Sequence, residues 1–290
     1  MRVAASHLAG DLDQADEALG HAEAAVQAAP SSFWARLALC AAYLSVGEAS
    51  RASALADSLR QEQPLDQTVW AYQATAWRLL GDERYGVLYD YDRLVSSSLL
   101  DTPRGWSSLS DYLAELSTVL NSAHVFRTHP FQQSLQHGTQ VANLASSSEP
   151  AVRAFFDAVM GPVERHLQRI GTGDNVAAAR NTLATRLSGV WSVRLESGEG
   201  RHVNHVHPKG WMSSACYIEL PEAVSTGEAH EGWLQFGQPG VKTTPPLTPE
   251  RFIRPEPGLL VLFPSYMWHG TIPFSGPGKR LTIAFDLVPM

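Results

Sequence analysis

The sequence predicts an α+β protein in which α-helical repeats at the N-terminus precede a β-rich domain braced by helices. Residues 1–84 are rich in Ala and Leu, carry few strand signals and repeat at a spacing of 34 residues. Two C-terminal segments, 259–263 and 280–288, have the length, apolar content and flanking turn residues of strands. The intervening region contains helical apolar stripes, which we expect to cover the outside of the sheet.

The 34-residue spacing is visible at three pairs of equivalent positions: Pro30 and Pro64, Ala42 and Ala76, Gly47 and Gly81. The prolines end a helix and the glycines fall in a turn, which predicts helices at 12–28, 31–46, 49–62 and 66–80. A small residue, a turn glycine and a terminal proline at this period resemble tetratricopeptide repeats. Two such units cannot bury their apolar faces alone, so we expect them to dock on the following domain.

The domain boundary is predicted after residue 84, where the composition changes. Residues 85–95, rich in Tyr and Val, are predicted to form the first edge strand of the β-domain. Leucines at helical spacing predict a helix at 108–121, and a second helix starts at Pro150 and is kinked or split at Gly161-Pro162. The segment 191–196 alternates as a strand, with Arg194 on the face opposite Trp191, Val193 and Leu195.

Three histidines form the candidate metal site. His205 and His207 are separated by one residue, and in an extended backbone their side chains leave the same face, so both imidazoles can meet one ion. His202 is out of phase with this pair and is expected to face the other way. A third ligand must come from a distant segment, and His269 follows the buried strand 259–263. Imidazole ligands suit Fe(II), Zn(II), Cu(II) and Ni(II), so the ligand types alone do not select the metal.

The last strand provides a candidate anion site. In 280–288, Arg280, Thr282, Ala284 and Asp286 alternate with four apolar residues, so the two sets occupy opposite faces. A guanidinium is well suited to bidentate pairing with a carboxylate. Arg280 is therefore the candidate residue for binding a carboxylate, and Arg194 is the alternative. The alternative is that Arg280 forms a surface ion pair with Asp286 or Glu219.

These segments together resemble the Fe(II)- and 2-oxoglutarate-dependent oxygenases. The similarity is closest to a 2-oxoglutarate–iron oxygenase family with an H-x-H-P motif, which here is 205–208. Further matching motifs are SSACYI at 213–218, GLLVLFPSYMWH at 258–269 and RLTIAF at 280–285. The segment 129–140 also matches, at positions that include Gln133, Ser134 and Gln140. The resemblance covers about residues 85–290.

The resemblance implies a fold, two cofactors and roles for six residues. The fold is a double-stranded β-helix, a jelly-roll or cupin-like architecture, and the cofactors are Fe(II) and the co-substrate 2-oxoglutarate. Its implied metal ligands are His205, His207 and His269, and its implied 2-oxoglutarate contacts are Arg280, Thr282 and Tyr217. In one respect the chain departs from the common pattern, because His207 stands where most such oxygenases have a carboxylate. Glu219 or Asp286 would supply a carboxylate only if the strand registers turned them inward.

Composition excludes several classes of function. The net charge of −7 and the lack of a basic run argue against a nucleic-acid partner. No stretch approaches 18 consecutive apolar residues, so no membrane span is expected. The two cysteines, Cys40 and Cys216, are too few and too distant for a disulfide framework. With no signal peptide recognised at the N-terminus, a cytoplasmic location is expected.

Three functions are compatible with these patterns. The first is a 2-oxoglutarate-dependent dioxygenase that hydroxylates a C–H bond and releases succinate and CO2. The second is a three-histidine metal enzyme of another class, such as a cupin-like dioxygenase or a zinc hydrolase or hydratase. The third is a non-catalytic scaffold. Arg280 favours the first, and the intact histidine trio argues against the third. Because tetratricopeptide-like repeats commonly bind peptides, a peptide or protein substrate is preferred over a free metabolite.

Overall fold

A computed structural model of the chain describes residues 1–126, 128–129, 133–226 and 230–290. Its N-terminal part consists of antiparallel helices connected by short turns. These are α1 (Arg2–Asp11), α2 (Ala15–Ala28), α3 (Phe33–Ser45), α4 (Ala49–Glu62) and α5 (Gln67–Leu80). The last four confirm the helices predicted from the 34-residue spacing. Helix α1 was not predicted, because it buries only Ser6 and Ala9 and so shows almost no apolar stripe.

The segment 85–95 is helical, so the edge strand predicted there is wrong. It forms two short helices, α6 (Arg84–Leu88) and α7 (Tyr91–Leu94). The tyrosines that suggested a strand are spaced as on a helix, and the rings of Tyr85 and Tyr89 stack with centroids 4.8 Å apart. Helix α7 is capped by Asp90, whose carboxylate accepts a hydrogen bond from the backbone N–H of Arg93. The first strand, β1 (Ser96–Leu99), starts directly after these helices.

Three longer helices precede the main strands: α8 (Leu109–Ala123), α9 (Pro150–Ala158) and α10 (Met160–Ile170). The predicted split between the last two is confirmed. Pro162 lies in the first turn of α10, and a proline there has no N–H to bond the carbonyl of Ala158 and crowds it sterically. The chain therefore ends α9 at Ala158 and restarts one residue later. A further short helix, α11 (Glu222–Thr226), lies within the β-domain.

The β-domain contains one large and two small antiparallel sheets. Its remaining strands are β2 (Leu135–Gln136), β3 (Gly138–Val141), β4 (Thr185–Glu196), β5 (Arg201–His202), β6 (Met212–Glu219), β7 (Leu234–Phe236), β8 (Arg251–Ile253), β9 (Leu259–Pro264), β10 (His269–Thr271) and β11 (Lys279–Pro289). The large sheet has the order β1-β9-β6-β11-β4-β3, and the small ones are β10-β7-β8 and β2-β5. Helical repeats followed by this sheet domain confirm the predicted α+β class with a jelly-roll-type β-domain.

Strand β11 lies in the middle of the large sheet and separates core from cavity. It pairs with β4 on one side and β6 on the other. Its apolar residues are buried in the main core: Leu281, Ile283, Phe285 and Leu287. Its other face lines a cavity of about 630 Å³ with Arg280, Thr282, Ala284 and Asp286. The alternation predicted for this strand is therefore confirmed.

The helical repeats dock on the β-domain, as expected for a short repeat array. Arg78 of α5 donates to the carbonyls of Gly237 and Thr248, and its Nε lies 3.1 Å from a carboxylate oxygen of Glu250. At the end of α3, Thr244 donates its N–H and its hydroxyl to the carbonyls of Leu44 and Ser45. Terminal helix carbonyls have no partner within the helix, so these bonds complete α3. A continuous apolar core runs from the repeats into the sheet.

In the part of the chain that the structure describes, no helix has the length and hydropathy needed to cross a bilayer.

Two histidines outside the cavity make stability sensitive to acid. His166 on α10 is 1% exposed and His124 is 6% exposed, and burial lowers the pKa of each to about 4. The unfolded chain binds protons near pH 6.5, so it takes up more protons than the folded chain between pH 6.5 and 4. The contribution of these two histidines to the free energy of unfolding should therefore be constant above pH 6.5 and fall as the pH is lowered. His166 contributes up to about 3 kcal/mol of this loss.

We expect His166→Phe to flatten the decline in melting temperature between pH 7 and pH 4.5. The phenyl ring fills the same space and has no proton to gain. The measurement is a series of thermal melts of both proteins across this range. Equal slopes would show that His166 does not stay neutral when the protein is folded.

Candidate metal centre and co-substrate pocket

The three predicted metal ligands meet at one point of the cavity. His205 and His269 are neighbours in an antiparallel bridge, with N–H to carbonyl distances of 2.9 and 3.1 Å in the two directions. The backbone N–H of His207 donates to the carbonyl of Ser265 at 3.1 Å. One ring nitrogen from each of the three histidines lies within 4.8 Å of the others. Backbone hydrogen bonds thus join the two segments that carry the ligands.

Each of the three imidazoles has its tautomer fixed by an acceptor at Nδ1. The acceptor is the carbonyl of Val203 for His205, at 2.8 Å, and the carbonyl of Met267 for His269, at 2.9 Å. For His207 it is the Asp286 carboxylate, at 2.6 Å. Carbonyl and carboxylate oxygens only accept, so each Nδ1 carries the proton and each Nε2 presents a lone pair.

The donor set fits a cation. The Nε2 atoms of His205 and His207 are 3.2 Å apart. Two lone pairs that close repel unless a proton or a metal lies between them, and the protons are held at Nδ1. Two imidazole nitrogens bound to one ion at about 2.1 Å are separated by roughly 3.0–3.4 Å for right-angle to tetrahedral geometry. Burial and the neighbouring histidines also hold the pKa of His205 and of His269 well below the ordinary value, which keeps both rings neutral.

His202 lies beside the trio, so the expectation that it faces away is wrong. Strand β5 ends at His202, and the chain bends before His205, so alternation along an extended strand does not apply. Its ring stacks on that of His205 with centroids 5.6 Å apart and lines the cavity. Its Nδ1 is 3.0 Å from the hydroxyl of Ser134. It is not one of the three residues whose ligand atoms converge.

Arg280 is a buried cation on the same cavity. It is 2% exposed, and its Nε donates to the carbonyl of Gly232 at 3.1 Å. Among the described residues no carboxylate pairs with it, so the alternative of a surface ion pair is wrong. Burial lowers the pKa of the guanidinium, the direction expected for a cation without an anionic partner. A buried, unpaired guanidinium is costly, and an anionic ligand in the cavity would offset that cost.

Thr282 and Tyr217 lie next to Arg280 at paired positions of β11 and β6. Thr282 lines the cavity. Tyr217 lies behind Arg280, with the guanidinium carbon 4.9 Å from its ring centroid, and is not part of the cavity lining. Its interaction with Arg280 raises the pKa of the guanidinium, against the larger lowering effect of burial. Thr282 thus faces the cavity, whereas Tyr217 lies behind its wall.

Arg194, the alternative carboxylate-binding residue, and Glu219, a possible carboxylate ligand, lie on the other face of the large sheet. Arg194 donates to the carbonyls of Asn121 and His124, which flank the end of α8. Glu219 accepts hydrogen bonds from Ser117 and Asn121 of the same helix. Neither side chain reaches the cavity. Asp286 does turn inward, but its bond to His207 keeps it on the side of that ring away from Nε2.

Several further residues line the cavity. Gln133, Ser134 and Gln140, noted only as motif positions in the sequence, are among them, as are Trp191 and Thr271. Pro130 of the same motif lies outside the described residues. No periodicity in the sequence could have found this set, because β3 and the segment before it join the cavity through pairing with β4 and β5.

Helix α5 contacts both segments that carry the histidines. The backbone N–H of Gln67 donates to the carbonyl of Pro208, the residue after His207. Trp268, the residue before His269, donates its indole N–H to the Thr75 hydroxyl at 2.9 Å and stacks on Tyr72. The repeats therefore contact both segments of the candidate metal centre directly.

We expect Thr75→Val to destabilise the protein by about 1–3 kcal/mol, because it leaves the buried Trp268 indole N–H without an acceptor. Metal affinity should fall as well, since Trp268 adjoins His269. Chemical denaturation and metal titration provide the two readouts. The matched control is Thr118→Val on the exposed side of α8. Equal behaviour of the two variants would rule out support from α5.

Two parts of the chain match known sequence families. Residues 189–286 match the family described as "Putative 2OG-Fe(II) oxygenase". Over this third of the chain, the sequence is similar to the 2OG-Fe(II) oxygenase family. Residues 9–75 match a tetratricopeptide repeat model. The resemblances stated from sequence motifs are therefore confirmed for these ranges, and the oxygenase match contains all three histidines and Arg280.

Solved structures similar to the chain include a Pseudomonas putida prolyl-4-hydroxylase, with 14% identity, a TM-score of 0.45 and coverage of 71% of this chain and 98% of that one. A Trichoplax adhaerens prolyl hydroxylase in complex with a hypoxia inducible factor peptide fragment has 14% identity, coverage of 73% and 92%, and a TM-score of 0.45. HygX from Streptomyces hygroscopicus, with nickel and 2-oxoglutarate bound, has 14% identity, coverage of 70% and 86%, and a TM-score of 0.40. No curated protein sequence matches the chain significantly.

Proposed function

We propose that the chain is an Fe(II)- and 2-oxoglutarate-dependent oxygenase that hydroxylates a C–H bond of its substrate. The observation that carries the proposal is the pairing of two features in one cavity. Three imidazole Nε2 atoms converge at one point, and a buried guanidinium without a carboxylate partner lies on the same wall. A zinc hydrolase or hydratase would need the first feature and have no use for the second.

In this proposal His205, His207 and His269 hold the metal. Their Nδ1–H bonds to two carbonyls and one carboxylate set the ring orientations before the ion arrives. Three protein ligands leave coordination positions open for a co-substrate and O2. Fe(II) is supported by the family match rather than by the ligand types, which other divalent metals also suit.

Arg280 is proposed to bind the C5 carboxylate of 2-oxoglutarate, with the Thr282 hydroxyl beside it and Tyr217 behind it. Its Nε donates a hydrogen bond to the carbonyl of Gly232, which fixes the plane of the guanidinium. The two terminal nitrogens are then free to bind a carboxylate. When bound, Fe(II) and 2-oxoglutarate would supply the oxidising chemistry, in which one O2 yields succinate, CO2 and one hydroxyl group on the substrate. The cavity wall contributed by Trp191, Val193 and Leu234 would exclude water from the reacting groups.

We propose residues 1–84 as the repeat module and residues 85–290 as the oxygenase domain, with a peptide or protein as the preferred substrate. The preference rests on the match of residues 9–75 to a tetratricopeptide repeat model, because a concave surface of helical repeats can bind an extended peptide. The cavity volume of about 630 Å³ is within the range of small-molecule sites, so it would admit a side chain in addition to a 2-oxo acid.

The test is succinate release from 2-oxoglutarate by the purified full chain, with and without added Fe(II). Uncoupled turnover without substrate should give slow release that needs Fe(II), and a chelator should abolish it. His269→Ala is the negative control and should release no succinate. Metal binding at the three histidines without any Fe(II)-dependent succinate release would favour a three-histidine enzyme of another class.

A further inference from the structure

The His207 side of the metal centre differs from the other two. His205 and His269 each donate Nδ1–H to a backbone carbonyl two residues earlier in the chain. Among the described residues, His207 is the one histidine of the three that donates to a carboxylate, that of Asp286, at 2.6 Å. By the motif resemblance, His207 also stands where most such oxygenases would have a carboxylate ligand. The one acidic contact of the trio is therefore at the position from which the usual acid is missing.

Asp286 is held in place by more than this bond. Its Oδ1 also accepts from the Ser213 hydroxyl at 2.7 Å, and the Ser213 and Ser265 hydroxyls are 2.8 Å apart. Ser265 in turn accepts the backbone N–H of His207 through its carbonyl. Asp286 and Ser213 are paired in register between β11 and β6. The side chains of Asp286 and His207 are 15% and 13% exposed, so little water competes for the bond.

Resting on the proposed function, we propose that Asp286 is a positioning residue that replaces the missing carboxylate ligand from outside the coordination shell. Three neutral imidazoles alone leave a divalent ion with a charge of +2, whereas a carboxylate hydrogen-bonded to one of them brings the site as a whole to +1. The same bond holds the proton on Nδ1 of His207 and leaves the lone pair on Nε2, the atom that faces the other ligands. Metal affinity and ring tautomer should both depend on Asp286.

The inference predicts graded effects of two substitutions. Asp286→Asn keeps the size and an acceptor oxygen but removes the charge, and Asp286→Ala removes both. With Co(II) as the probe metal, Asp286→Ala should bind about 10–100-fold more weakly than the wild type, with Asp286→Asn in between. The matched control is Glu219→Gln, a carboxylate on the neighbouring strand that faces α8 and should leave the affinity unchanged.

A second readout does not depend on metal or turnover. In the metal-free, ¹⁵N-histidine-labelled protein, NMR should show His207 as a single Nδ1–H tautomer, and Asp286→Ala should give a tautomer mixture or the Nε2–H form. Thermal melts establish that the variants are folded. If Asp286→Ala unfolds, the Co(II) affinity of Asp286→Asn relative to the wild type tests the positioning role instead.

The outcomes separate this inference from the proposed function. Unchanged Co(II) affinity in a folded Asp286→Ala protein, or an unchanged His207 tautomer, overturns the positioning role. Affinity lost in Asp286→Ala but fully retained in Asp286→Asn overturns the charge replacement. Co(II) binding that depends on Asp286, in a wild type that does not bind 2-oxoglutarate, overturns only the proposed function. A wild type that binds no Co(II) overturns both.

Discussion

Replacing His269 with alanine is expected to reduce bound divalent metal from about one per chain to near zero at micromolar metal, and to abolish succinate release. The loss of a direct ligand should cost more than the roughly 10–100-fold typical for an outer hydrogen-bond partner. The fold should persist, because His269 holds its neighbours through backbone bonds to His205 that alanine retains. Elemental analysis of protein purified without chelator is the measurement.

His205→Ala and His207→Ala should behave in the same way as His269→Ala. His202→Ala is the informative comparison, since its ring stacks on His205 but contributes no converging ligand atom. It should keep most of the metal. Full metal retention by His207→Ala would contradict the three-histidine assignment and point to a carboxylate ligand instead.

Replacing Arg280 with alanine is expected to weaken 2-oxoglutarate binding by about 30-fold to 3,000-fold and to leave metal content unchanged. This range corresponds to about 2–5 kcal/mol, the usual cost of truncating one partner of a buried charge pair. Arg280→Lys should recover only part of the loss, because an ammonium group cannot form the bidentate contact of a guanidinium. Calorimetric titration of the metal-loaded protein measures all three affinities.

Arg194→Ala is the matched control for Arg280→Ala. Both arginines are on adjacent strands, but Arg194 faces α8 on the opposite side of the sheet. Its removal should affect stability and leave 2-oxoglutarate affinity unchanged. If Arg194→Ala lost binding and Arg280→Ala did not, the assignment of the anchor would be reversed.

The sequence predicted local structure well where one pattern dominated. The 34-residue recurrence located α2 to α5, and the alternation in β11 separated its core residues from Arg280 and Asp286. The edge strand predicted at 85–95 was wrong because aromatic residues have a high strand propensity. The spacing of the tyrosines also suits a helix, and the cap at Asp90 and the stacking of Tyr85 on Tyr89 favour the helical form. Here tertiary contacts decided between two locally plausible structures.

The convergence of the three histidines was predictable from the sequence, but their surroundings were only partly so. The H-x-H spacing and the distal histidine identify residues that need only an extended backbone and one strand pairing to meet. The inward turn of His202 and the contact of Asp286 with His207 depend on a chain bend and on sheet register. The Asp286–His207 contact joins residues that are 79 apart in the sequence, and no local pattern encodes it.

The most direct test of the central claim is an anaerobic titration of the Fe(II)-loaded full chain with 2-oxoglutarate, followed by calorimetry and visible absorption. We predict stoichiometric, metal-dependent binding that is lost in His269→Ala, strongly weakened in Arg280→Ala and unaffected in Arg194→Ala. Failure of the metal-loaded wild type to bind 2-oxoglutarate would contradict the account and leave a three-histidine metal site of another function.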